Sequence, residues 1–427
     1  DIDVDGTTNL DVVDIDGALT QDGGAVFNEA SADVDFRVES NGNANMLFVD
    51  GGNNAVGIGT GSPSEPLHVQ EGSSGITSRA GTIALIDGSG NTKLTIASGA
   101  TSTGELLFGR STDNDAGRII YDHNDNSLSF YASSSERFRI SSDGSLSTPT
   151  AGTSNVRFGV NAGDSIASGG NYNVVVGDEA GTAITTGDNN VAVGYASLDA
   201  NTTASNNTAV GYASLTTNTT GTQNVAVGYS AGAAVTTGIR NTLMGGLAGD
   251  AITTASYNVA LGYEALTVDT LGSNSVAIGA FALRDQNFTS ATNAYNVGIG
   301  YEAGGSITTG TLNTIIGGEA GTAITTGDSN VAVGYAALYS NTTADKNIAV
   351  GMKSGEFITT GENNTHTGYL AGRGITGAKS TGDYNTTYGS VAGNKLQGAA
   401  TQNTLIGGLA GDAITTASAN TAVGYAS

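Results

Sequence analysis

The sequence predicts an all-β, fibrous fold whose larger part is a β-solenoid of about 17 residues per coil. Three observations carry this. A five-residue unit, Asn then a β-branched residue, a small residue, an apolar residue and Gly, recurs 16 times between residues 155 and 427. Proline is absent from residues 150–427, as expected where nearly every backbone N–H joins a ladder. Glycine occurs 65 times in 427 residues, about twice the usual ~7% share, and no stretch of useful length shows a 3.6-residue apolar period.

The anchoring glycines are Gly159, Gly177, Gly194, Gly211, Gly228, Gly245, Gly262, Gly279, Gly300, Gly317, Gly334, Gly351, Gly368, Gly389, Gly407 and Gly424. Eleven of their 15 spacings are 17 residues, two are 18 and two are 21. Asn stands four residues before the glycine in 15 copies, Ser275 being the exception. The pairs Asn190 and Gly194, Asn207 and Gly211, Asn224 and Gly228, Asn241 and Gly245, Asn258 and Gly262, Asn313 and Gly317, and Asn330 and Gly334 are the structural anchors. Val, Thr or Ile stands three before each glycine, and an apolar or aromatic residue one before it in every copy except that of Thr367. Ala is commonest two before, as at Ala192, Ala209 and Ala226. Large, small, large is a period-2 strand signal. A Thr-Thr pair begins eight residues after the glycine in 10 of the 15 complete intervals.

Each unit is therefore one coil, stacked in register on the next. At ~4.8 Å per coil, the array spans roughly 75 Å. Gly relieves one corner, where φ is free to be positive. Asn tolerates left-handed backbone and stacks into hydrogen-bonded ladders at the other. A coil this short has little room inside. Ala is expected to fill the thin interior and the Val/Ile row to face another chain, making the fold an obligate oligomer. The reverse assignment of the two faces stays open.

Four segments follow along the chain. Residues 1–32 form an Asp-rich repetitive shaft, with DVDG at 3–6 and DIDG at 14–17. Residues 33–70 form a β-rich module containing GIGTGSP at 57–63. Residues 71–150 read as strands and hairpins, with turn-formers at Asn126-Ser127 and Asp143-Gly144. Residues 151–427 are the repeat array, with Pro149 at its border. Near-duplicate blocks, NTLMGGLAGDAITTAS at 241–256 and NTLIGGLAGDAITTAS at 403–418, point to internal duplication. Another pair covers residues 179–198 and 319–338. The chain starts at Asp1 and stops inside a repeat at Ser427, so it is expected to be a piece of something longer.

The Asn-x-Val-Ala-Val/Ile-Gly unit resembles the head repeat of trimeric autotransporter adhesins, the YadA-type left-handed β-roll, which also occurs with longer coils in tail fibres of tailed bacteriophages. The adhesin unit is usually shorter than this one. The modules at 35–69 and 105–144 resemble those of marine phage fibres, where a GIGT-SP segment often ends a block. The resemblance implies a fibrous homotrimer: N-terminal β-rich shaft modules, then a left-handed trimeric β-roll. An intramolecular chaperone often follows such fibres.

Composition narrows the chemistry. Lys and Arg total 15 against 39 Asp and Glu, a net charge of −24. Such a chain is repelled by nucleic acids and anionic membranes, and no apolar run reaches the ~18 residues of a membrane span. Without cysteine there is no disulfide, thiol nucleophile or Cys-based zinc site. Asp1-x-Asp3-x-Asp5-Gly6 begins like a calcium loop, but Val12 stands where Glu is required. Gly57-x-Gly59-x-Gly61 opens no helix and is no dinucleotide fingerprint. His366 replaces the usual small residue, and three copies on a threefold axis would offer a metal site; a tolerated substitution is the simpler account. Glu179 and Glu319 occupy equivalent repeat positions, so neither is marked as half of a catalytic pair. Two four-residue insertions mark surface loops. Arg284, Asp285, Phe288 and Tyr295 lie in the first, Arg373, Lys379, Asp383 and Tyr384 in the second, and all are candidate receptor contacts. Tyr follows the anchor glycine in 8 of 16 copies, either as a sugar-stacking ladder or as rings that guard an edge.

The expectation is a non-enzymatic, extracellular tail fibre of the virion, without cofactor, binding a tail or baseplate protein at one end and a host surface glycan or protein at the other. A bacterial trimeric surface adhesin and an ice- or surface-binding solenoid are the alternatives.

Overall fold

The computed structural model describes residues 36–40, 42–71, 84–88, 94–110, 113–148 and 151–427. The Asp-rich segment, with its calcium-loop candidate, and Pro149 lie outside them. Two compact units divide at Ala97 and Ser98. No helix occurs among the described residues.

The first unit holds a five-stranded sheet in the order β1 (Phe36–Ser40), β2 (Asn43–Asp50), β3 (Ala55–Ile58), β4 (Leu67–Glu71), β5 (Ala84–Gly88). Strands β1 to β3 are antiparallel, and β3 to β5 run parallel. The β2–β3 turn is closed by Asp50, whose Oδ1 accepts from the Asn53 N–H at 2.8 Å. The GIGTGSP segment leaves β3 and crosses over to β4. Gly59 adopts φ +80°, and a Cβ there would lie 2.1 Å from the Gln70 carbonyl, so only glycine fits.

Within the second unit an antiparallel meander comes first: β6 (Thr103–Arg110), β7 (Asp113–Asp122), β8 (Ser127–Ala132), β9 (Ser135–Ile140) and β10 (Leu146–Ser147). Its turns fall at the expected Asn126 and Gly144, both at positive φ, and also at Ser133-Ser134. Arg139 on β9 holds Glu136 of its own strand through Nε and Nη2 and Asp125 of the β7–β8 turn through Nη1, each at 2.8 Å.

Sixteen three-residue strands then stack into one parallel sheet, from Val156–Phe158 to Thr421–Val423. Registers repeat without a slip: Val191 faces Thr208, Ala192 faces Ala209 and Val193 faces Val210. This is a β-solenoid of about 16 turns with about 17 residues per turn. All sixteen anchoring glycines have φ from +123° to +142°. Each comes so close to the next that a Cβ on Gly211 would lie 2.4 Å from the Gly228 carbonyl oxygen. The left-handed residue at the opposite corner is not the ladder Asn but its predecessor, such as Asn189, Asn206 or Tyr257. The ladder Asn is extended and fully buried, which frees its side chain for the hydrogen bonds below.

Alanine lines the coil interior as expected, with Ala192, Ala209, Ala226 and Ala260 all fully buried. The interior is larger than expected, because nearly every coil also buries one branched side chain. Two arrangements supply it. In five coils Leu stands four residues after the anchor glycine (Leu198, Leu215, Leu266, Leu283, Leu338), and the residue seven after it is polar: Asn201, Asn218, Asp269, Gln286, Asn341. In the other ten complete coils the fourth residue is Gly and the seventh is Ile, Val or Leu, as with Gly181 and Ile184. The two side chains compete for one slot. A Cβ on Gly181 would lie 2.7 Å from Ile184 Cδ1 and 2.7 Å from Val175 Cγ1.

Candidate functional site: the ladders and outer faces of the solenoid

The ladder asparagines work in two directions. Asn207 donates its backbone N–H to Asn190 Oδ1 at 3.0 Å, and its Nδ2 to the Gly221 carbonyl at 2.9 Å. Asn224, Asn241, Asn258, Asn313 and Asn330 repeat this geometry. Each therefore ties its coil to the preceding coil and spans its own. At Ser275 the side chain is too short. Gln286 reaches in from the same coil: Nε2 donates to Ser275 Oγ at 3.0 Å and to Asp269 Oδ2 at 2.6 Å, and Oε1 accepts from Asn296 Nδ2 at 2.9 Å. The exception in the repeat and the only glutamine at that position are one substitution in two parts.

Outside the coil, two faces differ in chemistry. The strand face presents the residues three and one before each glycine. These Val, Ile and Thr columns are half-buried by their neighbours, and Met244, Ile348, Val350 and Ile406 are exposed. The second face carries the threonine pairs. The first hydroxyl is used internally in nine of the ten pairs: Thr185 Oγ1 donates to the Thr202 carbonyl at 3.0 Å, and Thr236 to Thr253 at 3.2 Å. The second threonine, at 186, 203, 220, 237 and 254, is exposed in five consecutive coils. The pairs lie in bends rather than strands, and except at Thr219-Thr220, where both are exposed, the first member of these five pairs is half-buried.

At the corner past each glycine stand the tyrosines. Tyr195, Tyr212 and Tyr229 stack at centroid distances of 5.4 and 5.3 Å, nearly parallel. Glu179 and Glu319 lie beside this column, and Tyr335 donates its hydroxyl to Glu319 Oε2 at 3.0 Å. The carboxylates make the Tyr195 and Tyr335 phenols harder to ionise, chiefly through these hydrogen bonds. The two glutamates sit in separate coils and form no facing pair.

The insertions separate into exposed and structural residues. Arg284 pairs with its neighbour Asp285 through two hydrogen bonds, 2.8 and 2.9 Å. Tyr295 is exposed. Phe288 is buried, its ring where a Cβ on Gly272 would be, so it closes the coil. In the second insertion, Arg373 lies over the Phe357 ring and donates to the buried Glu356 at 2.6 Å, while Lys353 approaches the other oxygen at 3.1 Å. Asp383 accepts from the Glu362 N–H at 2.8 Å. Lys379 and Tyr384 are exposed.

His366 points into the coil and is buried. Its Nδ1 lies 2.8 Å from Thr387 Oγ1, and burial depresses its pKa to about 4. The insertion explains its size. Ile375, the slot-filler expected in that coil, is partly exposed beside the turn it makes with Ala378, and the imidazole lies where a Cβ on Gly372 would be. No group of three or more His, Cys, Asp or Glu side chains arranged to hold a metal ion occurs among the described residues. In the first unit, Asn53, Ala55, Pro63, Ser64, Glu65 and Pro66 line an open cavity of about 320 Å³.

The chain matches no family model, no curated protein and no solved structure.

Proposed function

We propose that this chain is a structural fibre protein of a tailed bacteriophage, assembled as a homotrimer and used for attachment to the host surface. The observation that supports this most is the strand face, whose column one before the glycine is apolar or aromatic in 15 of 16 coils. Sixteen parallel strands carry Val, Ile or Thr three before the glycine, while the opposite face is built of Thr, Ser, Ala and Asp. Such asymmetry fits a molecule whose apolar side is covered by copies of itself and whose polar side meets water. The meander adds a second reason: Leu106, Leu107, Phe108 and Leu146 are exposed on it. Rigid, in-register coils then serve mechanically, holding a distal binding region away from the particle, and several fibres add weak contacts into avid attachment.

Light scattering behind a sizing column tests the assembly. A mass near three times 42.3 kDa is expected, and a stable monomer overturns the reading. Adsorption of the purified protein to candidate host cells tests attachment. The exposed threonine column favours one second reading, an ice- or surface-binding solenoid, which an ice-recrystallisation assay separates from the first.

A further inference from the structure

The tyrosine column has gaps, and they are not alike. Between Tyr263 and Tyr301 the residue after the anchor glycine is Ala280, and the next residue, Phe281, fills the gap. Its ring lies 5.6 Å from Tyr263 and 5.9 Å from Tyr301, edge-on to both. Between Tyr335 and Tyr369 the position holds Met352. Two single-coil gaps hold neither ring nor thioether: Gly246 between Tyr229 and Tyr263, where Leu247 stands at the position of Phe281, and Gly318 between Tyr301 and Tyr335, where Glu319 stands there; between Tyr369 and Tyr425 two coils in succession carry Ser390 and Gly408. Walls two coils apart stand about 10 Å from one another at ~4.8 Å per coil, and Phe281 demonstrates that such a gap admits one six-membered ring. Tyr229, with its far face toward Gly246, is 59% exposed against 44% for Tyr195 at the other end of the stack.

We infer that the gap over Gly318 between Tyr301 and Tyr335 is a stacking site for one neutral pyranose ring of a saccharide, with the gap over Gly246, which has Leu247 in place of Glu319, as a second stacking position. This rests on the host-attachment reading and deepens it by giving the sugar class and the place. The C–H edges of a pyranose complement the negative faces of the two phenol rings. Glu319 stands beside the Gly318 floor, bonded to Tyr335, and Glu302 bonds the Tyr301 phenol. Both carboxylates accept hydrogen bonds, which sugar hydroxyls donate. The cations nearest these rings are already matched, Arg284 by Asp285 and Lys353 by Glu356. With a net charge of −24, the site discriminates against uronic and sialic acids.

The protein has no tryptophan, so tyrosine fluorescence and saturation-transfer NMR report stacking directly. Maltohexaose and mannohexaose serve as neutral probes, an oligoguluronate as the acidic one. The full chain is expected to bind at least one neutral probe saturably and the acidic probe not at all. The double variant Gly246→Tyr/Gly318→Tyr fills both gaps with the residue that eight other coils already carry. A Cβ on Gly318 meets only Tyr335 Cδ2 at 3.7 Å, ordinary contact, so the fold is retained, as circular dichroism and the solution mass would verify. Binding should weaken at least about tenfold, the equivalent of one lost ring contact. Absence of saturable binding by the wild type, preference for the acidic probe, or an unchanged affinity in the variant overturns the inference. Cell adsorption retained despite any of these results leaves the attachment reading standing and places the contact elsewhere.

Discussion

At the scale of single residues, the coil interior is governed by an exchange between two positions three apart in sequence. Leu198 occupies the slot from left-handed backbone at φ +50°, a conformation costly for a branched side chain. Its partner Asn201 then turns its amide to the Ala204 carbonyl at 3.2 Å. Leu198→Gly alone removes a fully buried side chain and is expected to cost about 2–5 kcal/mol. Adding Asn201→Ile should restore most of that loss, and a double-mutant cycle by denaturant unfolding measures the coupling. Two buried titratable groups give opposite pH dependences. His366 takes a proton near 6.5 when unfolded but resists it until about 4 when folded. Its contribution is thus present above pH 6.5 and lost as the pH falls toward 4, about 3 kcal/mol in all. Thermal melts of His366→Ala should be flatter across that window than those of wild type. Burial raises the pKa of Asp269 instead. Its contribution is largest in acid and declines as the pH rises through the folded value, so Asp269→Asn, the residue of Asn201 and Asn341, should raise stability at neutral pH.

At the scale of the coil, stability comes from ladders more than from any one contact. Removing Asn224 strands the Asn241 N–H and the Gly238 carbonyl, both inside the solenoid. Asn224→Ala is expected to cost about 2–4 kcal/mol, from two unsatisfied groups, and hydrogen exchange should quicken in the flanking coils before distant ones. The ladder and the anchor glycines were legible in the sequence because they recur at a fixed offset in nearly every copy. The slot exchange was not, because it divides the copies into two classes, so that neither Leu nor Ile is constant at its own position. His366 illustrates the same difficulty. Read alone it suggests a ligand, whereas its cause is Ile375, displaced by an insertion nine residues downstream. Phe288 was assigned to the surface by its loop, but a longer loop needs its own apolar anchor, and an aromatic side chain is the means available.

For the whole molecule, the composition of the two faces matters most. The column one before each glycine is apolar or aromatic in all coils but that of Thr367, so in the proposed trimer a charge placed on the strand face in one coil would meet its counterpart in the other copies. Val225→Lys together with Val227→Lys should lower the solution mass or broaden the sizing peak, while Thr237→Lys on the other face should leave both unchanged. The fold class and the repeat length were readable from periodicity alone, since a solenoid converts spatial translation into sequence translation. Whether and how many chains assemble is a property of surfaces, and a single sequence bears on it only through a column of half-buried Val, Ile and Thr.

One consequence concerns inheritance. Because either filling of the slot leaves the backbone of a coil the same, any coil can abut any other. In-frame recombination between near-identical blocks, such as 241–256 and 403–418, would then add or remove whole coils without a misfit at the junction. Reach becomes a quantity adjustable in steps of ~4.8 Å. Selection can tune how far the molecule extends without redesigning how it folds.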